Sequence, residues 1–143
     1  MKRILVPIDP AQPARTRSAI EEVVRICREE RVTVRLLRVE PRVSRHVAMF
    51  FGSQELERLQ QEVGIEELRF AQSLLDAADI PYVSSVQVGR SADTIVTAAR
   101  EYGCDRIVFG EEEPSLAGRI FGSLTEQVRQ SLGAHADLQI IGS

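Results

Sequence analysis

At 143 residues, with 43% hydrophobic and 27% charged side chains, the chain has an ordinary globular composition and enough length to bury one substantial core but not two, so a single domain over 1–143 is expected. A formal net charge of −3 supplies no long-range attraction to nucleic acid or to anionic membranes, and neither is expected as a partner. The two cysteines, Cys27 and Cys104, make neither a disulfide framework nor a metal-ligand spacing and read as reduced structural thiols.

The basic start at Lys2 and Arg3 is followed by an apolar run that meets Pro7 and Asp9 too soon for a secretory leader. It reads instead as a first strand over 2–9 and points to a cytoplasmic protein, with Ile4, Leu5, Val6 and Ile8 nearly unbroken, as in a strand covered on both faces. Pro10 and Pro13 end it. From 13 to 30, Ala19, Ile20, Val23, Val24 and Cys27 recur at helical spacing with Arg17, Glu21, Arg25 and Arg28 opposite, and a proline in the first turn suits that helix.

Val32 to Glu40 returns to strand character through Val34, Leu36, Leu37 and Val39, and Pro41 closes it. The segment 42–52 lacks a period and is expected to be a loop whose end, Met49, Phe50 and Phe51, is covered by the core or by another subunit. Ser53 to Asp79 is the longest helical pattern, about 40 Å if unbroken. Leu56, Leu59, Val63, Phe70, Ala71, Leu74 and Leu75 track its apolar face, Ser53 is the expected N-cap, and Gly64 is the expected place for a break or bend. Val83, Val86 and Val88 mark a strand over 80–88. A helix capped by Ser91 follows, carrying Ile95, Val96, Ala98 and Ala99 and ending at Gly103. The run 105–110, DRIVFG, is the next buried strand. Leu124, Val128 and Leu132 mark a last helix, and Leu138, Ile140 and Ile141 a closing strand.

Five strands alternating with helices describe an α/β domain in which a doubly wound parallel sheet with right-handed crossovers is the sterically favoured solution. Ligands in such sheets bind beyond the carboxyl ends of the strands, where the strand order switches. Asp9, Val39 and Gly110 stand at such ends.

Three pieces, ILVPID at the first strand, GRSADTIVTAAREYGCDRIVFG through the third long helix and the fourth strand, and FGSLTEQVRQSL into the last helix, together resemble the universal stress protein family over nearly the whole chain. The resemblance implies a five-stranded sheet of order 3-2-1-4-5, a homodimer built through the last strand, and an adenine nucleotide, ATP or AMP, as ligand. In the nucleotide-binding branch of that family an acid follows the first strand, a residue at the end of the second lines the base, and a loop of the form G-x2-G-x9-G-[S/T] wraps the phosphates. Asp9, Val39, Gly110, Gly122 and Ser123 match those positions.

The departures fall in the loop. Its second glycine should stand at 113, where this chain has Glu113; the span to Gly122 is one residue short; Pro114 removes a backbone donor; and Gly118 is out of register. Glu111, Glu112 and Glu113 open the loop with three carboxylates. Two like charges 4 Å apart repel by about 4 kcal/mol at an effective dielectric of 20, and about 1.4 kcal/mol is tenfold in affinity. One such glutamate facing a triphosphate would therefore remove orders of magnitude of affinity. Arg119 and the N-terminus of the last helix offset part of this. Weak or absent ATP binding is expected, with no cofactor required.

Other readings of these residues are structural. Asp9 serves equally well as a turn residue before a helix, the three glutamates as a solvated turn, and Ser123 as an N-cap with Glu126 completing a capping box. His46 and His135 lack partners at nucleophilic or metal-binding spacing. Val88-Gly89-Arg90 stands where a phosphorylated receiver domain would carry its acid. Leu138 and Ile140 make an apolar face on the last strand, the expected dimer contact, although Asp137 replaces the proline usual in the family. The chain is thus expected to be a regulatory or protective dimer, acting on an unidentified regulatory partner without robust catalysis. The alternative is an ATP- or AMP-binding member with slow nucleotide hydrolysis.

Overall fold

The computed structural model describes residues 2–111, 123–133 and 137–142. Its elements run β1 (Lys2–Pro7), α1 (Pro13–Glu29), β2 (Val32–Glu40), α2 (Arg45–Ala48), α3 (Ser53–Glu67), α4 (Arg69–Ala77), β3 (Tyr82–Val88), α5 (Ser91–Glu101), β4 (Arg106–Val108), α6 (Leu124–Leu132) and β5 (Gln139–Ile141). The strands form one five-stranded sheet of order β3-β2-β1-β4-β5, and each of its four neighbouring pairs is parallel. Both the doubly wound class and the order expected for it are present.

The unbroken apolar strands follow from burial on both faces. Ile4 and Val6 of β1, with Val34 and Leu36 of β2, pack on Ala19, Ile20 and Val23 of α1 and on Ala71 and Leu75 of α4. Their strand neighbours Leu5 and Leu37 point the other way, onto Ile95, Ala98 and Ala99 of α5 and Val128 and Leu132 of α6. Successive residues of one strand therefore serve two separate cores. Burial also pushes the Cys27 and Cys104 thiols above their ordinary range, which keeps both protonated.

The long helical stretch departs from its expected form. It breaks at Leu68, which lies between α3 and α4 with φ −84° and ψ −10°, and not at Gly64. Gly64 sits inside α3, where the helix crosses β3 so closely that an added Cβ would stand 2.5 Å from a Val86 methyl. Glycine is there for the close approach. Leu68 is fully buried at the junction, and the bend it makes lets α4 fold onto α1. Upstream of it α3 buries only Gly64, so Leu59 and Val63, expected in the core, are exposed.

Ser53 and Ser91 are the first helical residues rather than caps, a role taken by Gly52 and Arg90 without a side-chain bond. Ser44 caps the short α2 instead, its hydroxyl accepting from the Val47 N–H at 3.2 Å. Beyond it Met49 and Phe50 are largely exposed, so the described residues do not supply the cover expected for them.

Polar contacts take the place of a packed face under α3. Gln61 Nε2 donates to the Val86 carbonyl at 3.1 Å, and Arg38 Nε of β2 lies 3.2 Å from Glu67 Oε1. Arg38 Nη2 also approaches Glu40 Oε2 at 3.5 Å, while Glu40 Oε1 is buried without a hydrogen-bond partner among the described residues. Burial, reinforced by the neighbouring Glu67 carboxyl and opposed by Arg38, raises the Glu40 pKa to about 7. A carboxyl raised in the folded state binds more protons folded than unfolded between its two pKa values. Its contribution is full below the ordinary value of 4.5 and is lost as pH rises through about 7. Melting temperatures measured from pH 5 to pH 8 should therefore fall for the wild type, and fall less for Glu40→Gln. Equal slopes would show that Glu40 does not carry the dependence.

Candidate functional site

The switch in strand order falls at β1, whose two neighbours, β2 and β4, are reached by crossovers on opposite faces of the sheet. Beyond the carboxyl ends of these three strands lies a crevice of about 110 Å³. Ile8 and Asp9 follow β1 into it, Leu37 and Val39 enter from β2, and Phe109 and Gly110 from the end of β4. Ile95 of α5 and Leu124 of α6 close one wall, and Arg15, Thr16 and Ala19 of α1 form the other. The crevice thus brings together Asp9, Val39 and Gly110, the three strand-end residues singled out in the sequence.

Each of the three has a local structural reason to be there. The Asp9 carboxylate accepts from the Ala11 N–H at 2.9 Å and from Gln12 Nε2 at 2.8 Å, closing the turn that launches α1. Val39 is buried and presents an apolar wall. At Gly110 an added Cβ would lie 1.8 Å from the Arg15 carbonyl oxygen and 2.8 Å from the Ala19 nitrogen. Only glycine lets the end of β4 pass this close to α1, whatever the crevice holds.

Arg15 is the residue that the sequence reading missed. Its side chain is 7% exposed; Nε donates to the Gly110 carbonyl at 3.2 Å and Nη2 to Thr125 Oγ1 at 3.0 Å. The guanidinium carbon stands 5.5 Å from the centroid of the Phe109 ring. One side chain from α1 thereby links the end of β4 to the first turn of α6. A signal was present: Arg15 is four and eight residues before Ala19 and Val23, on the same buried stripe of the helix.

Ser123 caps α6, its hydroxyl accepting from the Glu126 N–H at 3.0 Å. The Glu111 N–H donates to Ser18 Oγ at 3.1 Å. Glu111 lines a separate groove with Glu21, Glu22 and Ile141 and is not among the residues that wall the crevice. Glu112, Glu113, Pro114, Gly118, Arg119, Gly122 and His135 lie outside the described residues. His46 stacks edge-on with Phe50, ring centroids 5.7 Å apart. Among the described residues no three His, Cys, Asp or Glu side chains gather as a metal cage requires, and no helix is long and apolar enough to cross a membrane.

At the far edge of the sheet, Leu138 is only 6% exposed and packs inside the α5–α6 core. It was expected on a dimer face, but its side chain is already used within the monomer. Ile140 is half buried against the same cluster, and the exposed side chain of β5 is Gln139.

A doubly wound parallel sheet with a crevice at its switch point is the architecture of nucleotide-type α/β folds. The model of the universal stress protein family matches residues 1–132, and the chain belongs to that family. No curated protein matches it in sequence. Among solved structures, a universal stress protein in complex with cAMP aligns with a TM-score of 0.73 at 17% identity, covering 99% of this chain and 96% of that one. A universal stress protein from Archaeoglobus fulgidus aligns at 0.71 with 21% identity, covering 99% and 98%. One from the same organism in complex with dAMP aligns at 0.66 with 18% identity, covering 99% and 97%. At these identities the likeness is one of fold.

Two substitutions test the construction of the crevice. Gly110→Ala should lower stability in urea denaturation by at least about 1–3 kcal/mol, the usual range for overpacking, because the clash is with backbone. Arg15→Met, which keeps the stem and removes the donors, should lose about 1–3 kcal/mol through the unpaired Gly110 carbonyl and Thr125 hydroxyl. A wild-type midpoint in either variant would contradict the geometry described.

Proposed function

We propose that this universal stress protein is a non-catalytic regulatory dimer of the cytoplasm that binds ATP weakly or not at all and acts through a protein partner. The observation that carries the reading is the buried Arg15 bridge between Gly110 and Thr125. It occupies the end of the crevice from which the family's phosphate loop departs, and leaves about 110 Å³ where ligand pockets commonly offer about 300–1,000 Å³. The loop sequence supports the same reading through Glu113 in place of the second motif glycine, Pro114, and the missing residue before Gly122. The crevice carboxylate, Asp9, accepts two bonds from its own turn, which argues against its use as a general base. Pairing of β5 edges remains the proposed dimer contact, through backbone and Ile140 rather than Leu138.

A second reading, binding of an adenosine monophosphate or cyclic phosphate, is favoured by the apolar walls at Leu37, Val39 and Ile95 and by the cAMP and dAMP complexes of two structurally similar proteins. Such a ligand would place its base against the walls and only one phosphate near Arg15. Calorimetric titration with ATP, AMP and cAMP, with and without magnesium, separates the two. ATP should bind more weakly than about 100 μM, near −5.5 kcal/mol. Low-micromolar ATP binding would overturn the leading reading, and tight AMP or cAMP binding with weak ATP binding would establish the second.

A further inference from the structure

Among the described residues, α3 carries an apolar stripe that the monomer leaves uncovered. Leu59 and Val63, one turn apart on the helix, are 43% and 44% exposed, and Phe70, seven residues further on in α4, is 37% exposed. Anchors at i and i+4 share one helical face, and Phe70 follows just beyond the bend at Leu68. The stripe is flanked by acid: Glu55, Glu62 and Glu66 are all exposed on α3, Glu66 in an exposed ion pair with Arg69. An amphipathic acidic helix with its apolar side in water is a helix lacking its groove.

The same chain carries a groove of complementary character. Between α1 and α4 lies an open trough of about 440 Å³ floored by Ile20, Val24 and Leu74 and rimmed by Arg17, Arg25 and Arg28. Glu21 also lines it, and Arg25 forms an exposed ion pair with Glu22, yet three guanidinium groups leave the rim basic. Arg17 stands over the Phe70 ring at 5.4 Å, so the end of the stripe and the start of the groove are neighbours on one surface.

We propose that this surface is a homotypic interface: α3 of one copy lies in the α1–α4 groove of a second copy, and the second copy's α3 lies reciprocally in the first groove. Two-fold symmetry requires one patch to carry both halves of the contact, and here acidic helix and basic groove sit side by side. Glu62 and Glu66 meet the partner's arginine rim, which sets register, while Leu59 and Val63 enter over Ile20, Val24 and Leu74. This contact is separate from the β5 edge and independent of what the crevice binds.

Charge reversal in the full chain, read by sedimentation equilibrium across the micromolar range, tests it. Glu62→Arg with Glu66→Arg, and separately Arg25→Glu with Arg28→Glu, should each weaken association through this contact, read as the step beyond any β5-paired dimer, at least about tenfold, about 1.4 kcal/mol. All four positions are exposed, so circular dichroism melts should stay near wild type. Mixing the two variants in equal amounts should restore association, because reversed helix then meets reversed groove and native helix meets native groove in one heterodimer. Association that is unchanged in both variants, or a mixture that stays as dissociated as its components, overturns the proposal. So does a wild type that is monomeric throughout, which would leave the groove to a helix from another protein.

Discussion

The close passage of β4 against α1 is the constraint on which the rest of the structure depends. Gly110 lies so near the Arg15 backbone that no side chain fits between them, and Arg15 then turns its guanidinium onto the Gly110 carbonyl and across to Thr125. These contacts tie together the first helix, the strand beyond the switch point and the first turn of the last helix. They also determine how much room is left at the carboxyl ends of β1 and β2. A glycine that in a motif reads as phosphate-binding is here first a packing residue, and among the described residues α1 places a charge, Arg15, in the crevice wall.

The two faces of the sheet are finished differently. On the α5–α6 side, Leu5, Leu37, Ile107 and Phe109 are met by small and aliphatic helix residues and the cover is apolar. On the other side α1 and α4 cover β1 and β2 well, but α3, over the β3 edge, is attached by Gln61, by the Arg38, Glu40 and Glu67 group, and by a glycine contact. Polar links hold position but bury little area. That is why α3 keeps an apolar stripe in water, and its attachment contains a carboxyl, Glu40, whose pKa burial raises to about 7.

Much of the architecture was legible because its signals are local. Period-two and unbroken apolar runs placed all five strands, the 3.6-residue period placed α1, α5 and α6, and Pro13, Gly103 and Ser123 marked ends where the structure has them. The helix over 53–79 was misread because periodicity reports that an apolar face exists, and only the neighbours decide whether it is covered. The edge strand under α3 offers Val86 and little else, so Leu59 and Val63 found no core. Leu138 shows the same dependence on neighbours: read from sequence as a dimer contact on an edge strand, it packs within the α5–α6 core of the monomer.

The sequence by itself determined the alternation of elements, the parallel sheet, and the presence of Asp9, Val39 and Gly110 at strand ends, since each follows from side-chain period and chain punctuation. Only the tertiary structure decided what those residues do. The Arg15 bonds to Gly110 and Thr125 span 95 and 110 residues, and the turn of Glu111 toward Ser18 spans 93. Contacts that distant leave no periodic trace, because they arise when packing brings particular backbone and side-chain atoms within hydrogen-bond reach.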